Sequence, residues 1–129
     1  MIRQQSVSVD TTGSAGSATG AGTTSAPVIG KILKIRFDYN ASAPATTDVT
    51  VTEYVGATSW ETICTETDSK TDVTRYPRKV VDDGAEGNVT YDGSNEVYEP
   101  FVVADYVRVA VAGCDALTAA VVVTIFYED

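Results

Sequence analysis

Along most of this chain apolar and polar side chains change places at every second residue. Residues 31–39 (KILKIRFDY) put Ile35, Phe37 and Tyr39 on one side and Lys34, Arg36 and Asp38 on the other. That is the period of a strand with one wet face. Residues 48–55 (DVTVTEYV) and 60–67 (WETICTET) flank Gly56–Ser59 and predict a hairpin. Residues 73–81 (VTRYPRKVV) and 97–103 (VYEPFVV) also look like strands. Pro77 and Pro100 interrupt them, and a residue that cannot donate to a ladder belongs at an edge or bulge. Residues 82–88 and 92–95 are turn-rich, which leaves 89–91 as a short strand at best.

The two clearest signals come last. Residues 106–112 (YVRVAVA) place Val107, Val109 and Val111 on one face. Residues 120–128 place Val121, Val123, Ile125 and Tyr127 on one face, and Val122 and Phe126 on the other. A strand apolar on both sides is central in its sheet or covered by a partner. No segment keeps helical periodicity over three turns. Seven to nine strands at this spacing predict an all-β fold, an antiparallel β-sandwich or a jelly-roll-like barrel.

The N-terminal part breaks the pattern. Residues 6–10 (SVSVD) alternate and predict a short strand, with another subunit as its candidate pairing partner, but residues 11–26 contain only Gly, Ser, Ala and Thr. So little apolar surface does not offset the entropy of ordering. The expectation is an extended, flexible arm over residues 1–26 and one sandwich domain over 27–129. Deleting the arm should then leave the body folded.

Composition narrows the function. The chain has 129 residues and a formal charge of −9. Residues 1–47 hold four basic and two acidic side chains, whereas residues 48–129 hold five basic and sixteen acidic. Such a body repels phosphate backbones, so nucleic acid is not an expected partner. No apolar run reaches the roughly 20 residues that span a bilayer, and the first ten residues lack the apolar stretch of a secretory signal. Cys64 and Cys114 are read as buried free thiols, with a cross-sheet disulfide or intermolecular links as the alternatives.

Candidate chemistry is sparse. With no histidine in the sequence, serine–histidine triads and histidine-ligated metals are excluded. The glycine-rich stretch lacks the ending of a phosphate loop. Carboxylates at Asp82, Asp83 and Glu86, or at Glu96 and Glu99, fall at no spacing that singles out an acid–base pair. Asp82, Gly84, Glu86 and Asn88 loosely resemble a calcium loop but lack its bidentate glutamate, and an ordinary acidic turn explains them. The expectation is no enzyme, no cofactor and no metal. Trp60, Tyr54, Tyr76, Tyr91 and Tyr98 form the candidate set for a sugar-stacking platform. Asn40 and Asn88 begin glycosylation-type triplets, which matter only on a secretory route.

Two stretches carry a family resemblance: GKILKIRFDYNASAPATTDVTVTE (30–53) and YDGSNEVYEPFVVADYVRVAVAGCDALTAAVVVTIFYE (91–128). Together they resemble small β-rich structural proteins of tailed bacteriophages, the head decoration or cement proteins. The resemblance implies a virion protein on the capsid surface, a dimer or trimer, partnered with the major capsid protein. Attachment would use the arm and one sheet edge, which makes Ile2, Arg3, Val7, Val9, Lys31, Lys34 and Arg36 the candidate interface. A carbohydrate- or receptor-binding module of a tail or fibre, and a tail or neck connector, are the alternatives.

Overall fold

The computed structural model describes residues 1–85 and 87–129 and is built from strands alone among them. The strands are β1 (Ile2–Val9), β2 (Ala18–Thr23), β3 (Val28–Tyr39), β4 (Asp48–Val55), β5 (Thr58–Glu66), β6 (Val73–Arg75), β7 (Arg78–Val80), β8 (Tyr98–Pro100), β9 (Val102–Cys114) and β10 (Val121–Glu128). The main network runs β1-β10-β3-β9-β4-β5, with β2 added beside β9 and β6 beside β3; β7 and β8 form a separate pair. Every ladder is antiparallel. The expected all-β sandwich is the fold.

The two layers meet along β9. Its first residues, Val102 to Asp105, pair with the start of β3, and from Tyr106 onward it pairs with β4. One layer is therefore β1-β10-β3 with β6, and the other is β2-β9-β4-β5. Between them lie Ile32, Ile35 and Phe37 of β3, Val49 and Val51 of β4, Val107, Val109 and Val111 of β9, and Val121, Val123 and Ile125 of β10, all buried. All but Ile32 are the alternating positions that the sequence pattern turns inward; Ile32 comes inward through the register shift beside Leu33. β10 sits between β1 and β3, as a strand apolar on both faces should.

The N-terminal region differs from its expected form. It is extended, but as two strands of the sandwich. β1 pairs with β10 without interruption from Ile2 opposite Glu128 to Val9 opposite Val121. β2 pairs with β9, and Thr24 continues that ladder through two bonds with the Val107 backbone. Val7, Val9 and Ala18 belong to the core, and Thr11 is buried with its hydroxyl donating to the Asp115 carbonyl. The glycines explain why composition misleads here. A Cβ on Gly20 would strike the Asp10 carbonyl oxygen, and one on Gly22 would lie 2.8 Å from Val7 Cγ1. Small residues let β2 close against β1; they do not loosen it.

A second tie joins the layers at their far end. Glu66 of β5 is buried and takes a two-point hydrogen bond from Arg75 of β6. Since β6 rides on β3, this ion pair links one layer to the other. Close by, the Tyr39 hydroxyl is buried and meets no hydrogen-bond partner among the described residues. Burial pushes its acidity constant up to about 12. A neutral phenol is thus favoured by folding. The stability it confers is complete below about pH 10, where an unfolded tyrosine begins to ionise, and is lost as pH rises toward about 12. Denaturant melts at rising alkaline pH should show this loss, and Tyr39→Phe should remove its share of it. At neutral pH Tyr39→Phe should be neutral or stabilising by about 1 kcal/mol, because it deletes an unpaired buried hydroxyl.

Cys114 is buried opposite Ala18, and Cys64 is half-buried opposite Val51; both are free thiols.

Candidate functional site

Register decides which residues share a surface, because side chains directly opposite across a ladder point the same way. On the face of β1-β10-β3 turned away from the core, Ile2, Glu128 and Lys31 fall in one row, and Val102 of β9 extends it beside Lys31. The next rows are Gln4–Phe126–Lys34 and Ser6–Thr124–Arg36, with Thr74 of β6 beside Arg36. A bulge at Leu33 keeps Lys34 and Arg36 on this side. Ile2 and Val102 are each 65% exposed, and Ile29, two residues before Lys31, is 58% exposed.

Local contacts hold these cations in place. The Lys34 ammonium lies 4.8 Å from the centre of the Phe126 ring. Arg36 donates to the Asp38 carboxylate at 3.0 Å and approaches the Thr74 hydroxyl at 3.5 Å. This face carries Lys31, Lys34 and Arg36 against Asp38 and Glu128, in a chain whose carboxylates are concentrated elsewhere.

Four of the seven candidate interface residues, Ile2, Lys31, Lys34 and Arg36, therefore come together on one face. Val7 and Val9 do not. They alternate with Ser6 and Ser8, point into the chain's own core and cannot touch a partner. Arg3 leaves the group as well: its guanidinium donates to Asp129 at 2.6 Å, and Asp129 also meets the Met1 ammonium at 3.2 Å. These two cations hold the Asp129 carboxyl below its ordinary range.

The acidic turns are occupied with their own backbone. Asp82 accepts from the Gly84 N–H, and Asp83 accepts from Ala85 and Gly87. Asp92 accepts from the N–H groups of Ser94 and Asn95, which lowers its acidity constant to about 2. Glu96 accepts from the Asn88 amide, and Glu99 lies opposite Lys79. Glu86, part of the acid-pair and calcium readings, lies outside the described residues. Among the described residues no group of three or more acidic or thiol ligands converges. The turns behave as turns.

The aromatic candidates are spread over several elements: Trp60 on β5, Tyr76 between β6 and β7, Tyr91 in a turn, Tyr98 on β8 and Tyr54 on β4. Trp60, Tyr76, Tyr91 and Tyr98 are all exposed. Tyr54 has an aromatic neighbour directly opposite it, Tyr106 of β9. The two line an open groove of about 440 Å³ with Thr23, Thr24, Gly56 and Asp105. Sequence reasoning put Val107, Val109 and Val111 on one face of β9, which consigns Tyr106 and Arg108 to the other. It had no means of pairing that face with Tyr54.

Neither a protein-family model nor a curated protein matches this chain. Among solved structures it is similar to a single-site mutant of a family 29 carbohydrate-binding module, made to probe that module's ligand recognition. The likeness covers 98% of this chain and 81% of that one, at 13% identity and a TM-score of 0.39. A likeness that distant carries no argument about function.

Proposed function

We propose that this protein is a non-enzymatic virion structural protein that decorates and stabilises a tailed-bacteriophage capsid. The observation that supports this reading best is the outer face of β1-β10-β3. There Lys31, Lys34 and Arg36 stand among the exposed aliphatics Ile2 and Val102, on a chain of net charge −9. An aliphatic surface with fixed cations suits an acidic protein surface, with burial supplying affinity and charge supplying register. The partner in this reading is the major capsid protein. Many copies on a symmetric shell turn modest single contacts into firm attachment.

The grip proposed here is a rigid sheet face, not a pliable tether, because the N-terminal residues are committed to the fold. The test is cosedimentation with expanded capsids of the cognate phage that lack this protein. The double variant Lys34→Glu, Arg36→Glu should bind at least about tenfold more weakly, a loss of about 1.4 kcal/mol. Wild-type binding should also weaken as salt is raised. Unimpaired binding by the double variant counts against this face.

A further inference from the structure

We infer that the groove between β4 and β9 is a binding site for a neutral pyranose unit of a glycan. The inference is independent of the capsid reading and concerns a different surface. Tyr54 and Tyr106 stand directly opposite across the β4–β9 ladder and form the apolar floor. The Arg108 guanidinium lies 5.5 Å from the centre of the Tyr54 ring and fixes that side chain. The volume of about 440 Å³ is within the range of small-ligand pockets.

The polar groups around this floor are mixed and incompletely used. The Asp105 carboxylate accepts from the Tyr106 N–H through Oδ1, which leaves Oδ2 to accept from a ligand hydroxyl. Thr24 is 3% exposed, and its Oγ1 accepts from the Val107 N–H at 3.2 Å. A threonine hydroxyl also has a proton to donate, and no acceptor for it occurs among the described residues. Thr23 adds a second, exposed hydroxyl.

A pyranose matches both halves of this surface. Its C–H face packs on an aromatic ring, and its hydroxyls donate to a carboxylate and accept from hydroxyls. The charge decides which sugars. Asp105 lines the groove on a chain of net charge −9, which disfavours sialic acids, uronic acids and sugar phosphates although Arg108 stands beside Tyr54.

The experiment is a titration of the full-length, isotope-labelled protein with methyl glycosides of glucose, mannose, galactose and N-acetylglucosamine, followed by amide chemical shifts. At least one glycoside should shift the amides of Gly56, Asp105 and Tyr106 saturably. Tyr106→Ala should weaken that response about tenfold or more, a loss of about 1.4 kcal/mol, while Tyr106→Phe keeps most of it. Asp105→Asn, which can still accept from the Tyr106 N–H, should weaken it too and gives a second reading should Tyr106→Ala not fold. Silence with all four glycosides, shifts confined to surfaces away from the groove, or an unchanged titration in both Tyr106→Ala and Asp105→Asn would each overturn the inference.

Discussion

A chain that begins at Pro27 should not reach the native fold. Deletion of residues 1–26 removes the outer strand of one layer and a strand of the other. It strips Val7, Val9 and Ala18 from the core. Burying a valine side chain is worth about 1.5–3 kcal/mol, and domains are stable by only about 5–15 kcal/mol in all. The loss of two valines, of the eight paired positions between β1 and β10 and of the cover over the Val121–Val123 side consumes most of that margin. Circular dichroism and a urea melt of the truncated chain provide the check. A cooperative transition near that of the full-length protein would show that the first two strands are dispensable.

Gly20→Ala is the single-residue counterpart. The new methyl group would be driven into the Asp10 carbonyl oxygen, with Val9 Cγ1 at 3.1 Å, and neither neighbour is the free end of a flexible side chain. Overpacking against backbone costs about 3 kcal/mol, enough to shift a urea midpoint plainly. Gly16→Ala is the control. Gly16 has φ +78° with nothing near its missing Cβ, so alanine there should cost only about 1–2 kcal/mol, the penalty for a left-handed backbone. A tether free in solvent would tolerate both substitutions alike. Equal, negligible shifts would therefore contradict the packing of β2 on β1.

These two results bear on what the sequence could and could not reveal. Where a strand buries β-branched residues on alternate positions, its place was legible. Residues 48–55 coincide with β4, and 120–128 differ from β10 by one residue. The split at Pro77 was legible as an interruption, and β6 and β7 lie on either side of it. The hairpin at Gly56 is tighter than spacing suggested: it turns through positive φ at Gly56 and Ala57, so β5 begins at Thr58, two residues earlier. β2 was illegible for a physical reason. Its glycines and alanines are selected by the space against Val7, Val9 and Asp10, and hydrophobic periodicity reports side chains, not the lack of them.

The candidate surface was legible only in part. Alternation correctly separated Lys34 and Arg36 from Ile35 and Phe37. The same rule, applied to β1, would have turned Val7 and Val9 inward; treating them as part of a loose arm hid that. Val102 and Tyr106 could not be found at all without knowing that β9 lies beside β3 at one end and β4 at the other.

That arrangement of β9 has a mechanical consequence. A strand stitched into both halves of the molecule forbids either half from opening while the other stays intact, since the hydrogen-bonded seam would have to tear midway along one backbone. The main strand network should therefore melt as a single unit, while the β7–β8 pair lies outside that seam.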